Sequence, residues 1–530
     1  MSEQVKVKNP WIAYLGFLFG SFTIIEALAF QIPVVPVVTK VFGISVASAA
    51  FIGLVYYLTH IVAGPVWGNL ADQFGRKKIV LLGVAIFAVS EFMAAVSPNF
   101  EFFLFARSVQ GIGSGCVVSS GLAYAQYLFP PEKRGAALGT FSSIGTVGAA
   151  VGGIVGGNVV NSFGWQYIYY INCTFAIIGF IIISLTVPET ESLGKKPFDY
   201  LGSLLLLLTV GTLLGSTTLM SNLGVTSPTT LGVLAAGFIL FLIFWFYEKK
   251  NPHPFLELSL LKNKIFILPL ILYFLIQVCN TGAMMANSFY VNVKPGGGPV
   301  AVGTVAMWSY ITGALGGFIS GRLIDRFRIK HILLVGITVF FIGIFAYSRF
   351  TPETPTWYIS AAIGIFTAGI CMMMPACIKM ALSVVPADKL GSGSGTYTMI
   401  QYMGNPAGNS IGLAIFSSLS SSAIATQLTA KAQVHGVGQD MIPAILEAGK
   451  TKGAVVAPAL ADYLAKIGLK FQTLYTEANV QAMVSALNSM AYIILGITVC
   501  VFLLAIFALP NIASTYKKTS SNDSSDKITN

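Results

Sequence analysis

Stretches of about 20 mostly apolar residues return one after another along nearly the whole chain, each long enough to cross the hydrocarbon core of a bilayer. In hydrocarbon every backbone N–H and C=O must be satisfied inside the structure, so such runs are helices; a membrane barrel would show short alternating segments instead. Breaks at charged, proline and glycine clusters predict fourteen helices. They cover residues 11–38, 47–67, 79–97, 102–128, 136–160, 166–187, 199–220, 229–248, 265–292, 301–320, 332–350, 357–384, 392–418 and 487–509. A soluble domain carries roughly a quarter charged residues. This chain has 10% charged and 55% hydrophobic residues and a mean hydropathy of +0.77, so a water-soluble fold is excluded. The start, MSEQVKVKNP, is short and polar, and the first apolar run is too long for a signal-peptide core, so no cleaved leader is expected.

Basic residues orient the helices. With the N-terminus inside, 21 of the 31 Lys and Arg fall on the cytoplasmic side, from Lys6 and Lys8 through Arg76–Lys78 to Lys517, Lys518 and Lys527. Both termini are therefore expected in the cytoplasm. The net charge of +11 then reflects topology, and nucleic acid is not an expected partner. The six cysteines, at 116, 173, 279, 371, 377 and 500, all lie in apolar segments without metal-ligand spacing and read as packing residues.

An internal echo divides the chain. GNLADQFGRKK begins at Gly68 and GRLIDRFRIK at Gly321, and Asp72 and Asp325 occupy the same place in each. Each copy follows the second helix of a six-helix set if the seventh and eighth helices are an insert. Paired halves of this kind mark secondary transporters. Two glycines, Gly68 and Gly75, permit a tight turn and close helix approach. Asp72 beside Arg76 makes a charge-assisted cluster able to lock one conformation and release in another. This first copy resembles the cytoplasmic loop signature of the major facilitator superfamily almost letter for letter. The second copy has Arg328 and Ile329 where the first has Gly75 and Arg76, so a weaker lock is expected around Asp325.

The resemblance continues. Leu104-x-x-Arg107-x-x-Gln110-Gly111 in the fourth helix is similar to the superfamily's intramembrane arginine motif, which implies a role for Arg107 in proton transfer; the other reading is a structural arginine on backbone carbonyls. GAAVGGIVGG, from Gly148 to Gly157, resembles the antiporter motif of the fifth helix. Gly152 matches, and Gly153 stands where proline is usual. This ladder (Gly148, Gly152, Gly156, Gly157) lets helices pack backbone to backbone. With the FGWQYIYYIN and FDYLG segments, the whole chain looks like the fourteen-helix drug–proton antiporter branch. The implied fold is all-α, the major facilitator fold, with two six-helix bundles (11–187 and 265–509), two inserted helices (199–248) and an external loop (419–486); the tail 511–530, rich in Ser, Asn, Asp and Lys, reads as a disordered cytoplasmic segment from its composition.

That branch usually carries an aspartate in the first helix. Here Ser21 stands at its position, and the carboxylate, Glu26, lies five residues on, where a neutral asparagine is usual. A desolvated carboxylate facing Arg107 or a cationic substrate is a group that can load and release a proton. Glu91 in the third helix is a second membrane acid, and His60 in the second is able to join a proton relay or simply pack against a neighbouring helix. Lys379 reads as a residue reaching for the cytoplasmic surface, with anion binding the alternative. Gln277, Asn280, Met284 and Asn287 share one face of the ninth helix, and Gln401 and Asn405 one face of the thirteenth. With Gln110 and Glu26 they are the candidate substrate lining; amide bonds between helices are the alternative.

No P-loop, dinucleotide fingerprint or nucleophile elbow occurs, so no enzyme and no cofactor is expected, and the energy source is an ion gradient. The expectation is a monomeric, multi-pass protein of a prokaryotic cell membrane. It would export hydrophobic or cationic drug-like compounds against protons; uptake of a small metabolite or organic anion is the alternative.

Overall fold

The computed structural model describes residues 9–44, 46–190, 194, 199–223, 227–251, 258–386, 389–451 and 456–509. Within them, the side chains of 25–33, 36, 39–40, 46–50, 142, 153–154, 157–158, 161, 200, 218, 221–223, 258 and 299 are outside the description. Glu26, Gly157 and the tail 511–530 thus lie outside the described side chains or residues, although the backbone of the first helix runs through Glu26.

The described residues form helices and no strands. In order they are α1 (Pro10–Val41), α2 (Val46–Phe74), α3 (Arg76–Ala95), α4 (Phe100–Leu128), α5 (Arg134–Phe163), α6 (Gln166–Thr186), α7 (Tyr200–Leu223) and α8 (Pro228–Lys250). The short α9 (Leu258–Lys262) is followed by α10 (Lys264–Val293), α11 (Pro299–Arg326), α12 (Ile329–Tyr347), α13 (Thr356–Leu382), α14 (Leu390–Val434), α15 (Ile442–Lys450), α16 (Pro458–Lys466) and α17 (Phe471–Ala508). Twelve helices among the described residues are long and apolar enough to cross a membrane; in α1 and α7 the described apolar stretches, Pro10–Ile24 and Leu201–Thr217, are shorter. Large apolar side chains such as Leu185, Phe238, Phe246 and Phe507 point outward. An apolar exterior of this kind is at home in lipid rather than water.

The echo in the sequence is an echo in packing. In the first half α1 packs on α5 and α6, α2 on α4, and α3 on α4 and α6. In the second half α10 packs on α14 and α17, α11 on α13, and α12 on α13 and α17, the same pairings in the same order. The halves meet along two seams, α2 with α14 and α5 with α11, which exchange under the same repeat. The pair α7 and α8 packs together, and α7 lies against both α2 and α14.

Two helices run past their expected ends. The spans over 392–418 and 487–509 stop where hydropathy falls, but α14 continues to Val434 and α17 starts at Phe471. The added turns are amphipathic. Leu428, Ala432, Leu474 and Ala478 bury one stripe against Ile445, Ala448, Leu460 and Leu464 of α15 and α16, a small apolar core of its own. At the far end of the molecule, Lys330 donates to the carbonyl of Leu509 at 2.9 Å, a cation on the C-terminal end of α17.

Candidate functional site

Both motif copies do the same work through different partners. Gly75, at φ +95°, turns the chain from α2 into α3 in a region that disfavours any side chain. The N–H groups that open α3 are capped from the segment after α6: Arg76 donates to Thr190 Oγ1 at 2.9 Å and Lys77 to Glu189 Oε1 at 3.0 Å. The Arg76 guanidinium folds back onto Asp72 at 2.8 Å. The same carboxylate reaches across the seam and accepts the N–H groups of Gly391 and Ser392, both at 3.1 Å, in the first turn of α14. Asp72 is thus a capping anion from one half seated on a helix N-terminus of the other.

Asp325 repeats this in reverse. It accepts the N–H groups of Gly135 at 3.0 Å and Ala136 at 2.8 Å, in the first turn of α5. Its cation comes from a helix the motif does not contain: Lys379 of α13 lies 2.6 Å from Asp325. Two sequence expectations are corrected here. The second lock has a full cation partner, and Lys379, only 8% exposed, is turned inward to Asp325 rather than outward to a surface.

Between the clasps the backbones touch. Gly64 and Gly68 face Gly395 and Gly391, and a Cβ on Gly395 would stand 2.5 Å from the Gly64 carbonyl oxygen. Gly139 and Gly321 face each other on the other seam, where a Cβ on Gly139 would stand 2.6 Å from the Gly321 Cα. Ser143 then bonds the Ala314 carbonyl across the same seam at 2.8 Å. Sequence inspection missed these partners, although a signal was present. Gly64-x-x-x-Gly68 recurs as Gly317-x-x-x-Gly321, and Gly135-x-x-x-Gly139 as Gly391-x-x-x-Gly395. Gly148 packs elsewhere, against Phe22 of α1, and Gly152 and Gly156 are buried in α5.

A second cluster lies inside the first half. Arg107 of α4 is fully buried, with its guanidinium 4.6 Å from the centre of the Tyr56 ring. It donates to Gln110 Oε1, and Gln110 Nε2 donates to Glu91 Oε1 of α3. The amide has only one workable orientation, oxygen toward the guanidinium and NH2 toward the carboxylate. Glu91 and Arg107 are therefore joined without direct contact. His60 bonds Ser114 at 2.8 Å, and its ring meets Tyr402 of α14 edge-on at 4.4 Å, which places it at a seam.

In the second half Gln277 of α10 donates to Asn405 of α14 at 2.5 Å, an amide bond between helices. Asn280, Asn287 and Gln401 are buried, and Met284 packs against the core. Among the described residues no group of three metal-ligating side chains occurs.

The profile of the Major Facilitator Superfamily matches residues 16–409. The chain belongs to this superfamily. As a superfamily member it is a membrane transporter, its substrate a small molecule and its surroundings a lipid bilayer. Multidrug resistance protein Stp of Mycobacterium tuberculosis is 24% identical over 69% of this chain and 67% of that protein. Quinolone resistance protein NorB of Staphylococcus aureus is 26% identical over 67% of this chain and 77% of that protein. Among solved structures, the human organic anion transporter MFSD10 shares the fold, with a TM-score of 0.56 at 15% identity over 92% of this chain and 99% of that one.

Proposed function

We propose that this transporter exports hydrophobic or cationic drug-like compounds in exchange for protons, by alternating access between its two halves. The observation that carries the reading is the pair of equivalent clasps at one end of both seams. Each is a carboxylate of one half on a helix N-terminus of the other. Such contacts hold one end shut and must break for that end to open, the behaviour a bistable gate requires. Lysine and arginine placement puts the clasps, and both termini, on the cytoplasmic side of fourteen spans. The protein then rests with its cytoplasmic side sealed, ready to take protons from outside. Relatives named for drug and quinolone resistance support the substrate class. Glu26 of α1 is the carboxylate that exchanges protons, and Arg107 tunes it.

The alternative, uptake of an organic anion, would call on Arg107 and Lys379. Lys379 is already engaged by Asp325, which favours the exporter. Proteoliposomes with an imposed proton gradient test the choice. An inside-acidic gradient is expected to drive uptake of lipophilic cations; accumulation of an acid under an outside-acidic gradient, with no cation uptake, would reject the exporter. Glu26→Gln is expected to remove the proton that this site releases on substrate binding, in a protein that still folds.

A further inference from the structure

We propose that Glu91 is a second proton-binding carboxylate of the transport cycle, tied to Arg107 through the Gln110 side chain. The inference rests on the proton-coupled reading above and extends it to the end of α3 remote from Arg76 and the Asp72 clasp.

The geometry is that of a pair held apart. Glu91, Gln110 and Arg107 are each no more than 1% exposed. A static buried ion pair gains from direct contact and from saturating every remaining donor and acceptor. Here the guanidinium and the carboxylate are separated by an amide, and both are left partly unsatisfied. Arg107 Nε and Nη2 and Glu91 Oε2 carry no hydrogen bond among the described residues. A half-satisfied polar network in a core is costly, so each open position in it calls for a role. Glu91 Oε2 is the open position. One proton from water adds there to give the neutral acid, and the same proton leaves to water on the other side when the cycle turns.

The groups facing Glu91 are few. From α4 it meets Gln110, with the Arg107 charge behind it, and from α6 Tyr169 and Cys173 lie within electrostatic reach, with the Asn172 amide within bonding reach of the carboxyl. Tyr169 belongs to an edge-to-face aromatic set with Phe103 and Trp165, at ring separations of 5.7 and 5.9 Å. These rings keep bulk water from that end of the cluster. Arg107 on its other side stacks on Tyr56 of α2, the helix that carries Asp72 and a seam. Protonation of Glu91 would therefore change the charge balance of an arginine that touches a gating helix.

The full-length protein in detergent, unbuffered, with a pH-indicator dye and tetraphenylphosphonium as the probe cation, provides the test. Wild type is expected to release protons on binding. Glu91→Gln is expected to release about half as many, the share of one carboxylate of two, with cation affinity within about threefold of wild type. Its infrared difference spectrum should lose a carboxyl C=O band that Glu91→Asp, the variant to use if Glu91→Gln does not fold, retains. Gln110→Leu keeps both charged groups; maximal transport is expected to drop about tenfold at nearly constant KM, with an altered pH profile. A packing role alone would leave the pH profile as it is. Full proton release and an unchanged spectrum in Glu91→Gln would overturn the inference and leave Glu26 as the single site. A wild type that releases no protons would overturn the proton-coupled reading itself, and this inference with it.

Discussion

A single carboxylate such as Asp325 shows what one residue contributes here. It holds a lysine of its own half and two backbone N–H groups of the other, so it is both half of a buried ion pair and a helix cap. Lys379→Met removes the cation and leaves the anion with backbone partners only. Breaking a buried pair from one side costs roughly 3–5 kcal/mol; since Asp325 keeps its cap, the lower end is expected, read as a fall in thermal stability in detergent. Adding Asp325→Asn should recover part of that loss, because the neutral amide no longer needs the cation. A double-mutant cycle with no coupling between the two positions would contradict the pairing.

At the scale of elements, the four Gly-x-x-x-Gly pairs let α2 meet α14 and α5 meet α11 at backbone distance. Gly321→Val puts a branched Cβ 2.5 Å from the Gly139 Cα, so the seam must open there. In a background lacking the six native cysteines, a cysteine at Ser143 should react slowly with a charged maleimide in the parent and at least about tenfold faster with Gly321→Val. Equal rates would mean the seam is not the barrier. The cap that α15 and α16 build on α14 and α17 is a separate element. Leu464→Ala removes a side chain from its small core at about 2–3 kcal/mol, so cleavage of residues 435–470 by added protease should increase. Transport should stay within about twofold of wild type, since this cap touches neither clasp nor the arginine cluster.

For the whole molecule, the clasps are two equivalent biases on one equilibrium. A lost cap is worth about 1–2 kcal/mol, so Asp72→Ala and Asp325→Ala should each move the population away from the sealed state by roughly 5- to 30-fold. The two sit on opposite seams with no shared partner, so the double variant should show nearly the sum. Spin-label distances across the clasp end measure these populations directly. A single variant as open as the double would show that the clasps are not equivalent.

The membrane fold, the repeat and the chemistry of the first motif were legible in the sequence because each is local. Hydropathy needs only a window of residues, and Gly68 to Lys78 is one unbroken stretch that passes from α2 into α3 through Gly75. Arg107 was also legible, since a guanidinium inside an apolar helix stands out wherever the helix goes. The bridge through Gln110 to Glu91 was not, because it joins α4 to α3 by side chains 19 positions apart. Nor was Lys379, which reaches Asp325 from a helix 54 positions away and so restores a clasp that looked incomplete along the chain. The sequence by itself determined that this protein lives in lipid, is built twice over and carries buried charge. Tertiary structure alone decided which charge meets which helix end, because capping and pairing depend on separation in space, and only the closed seams set that.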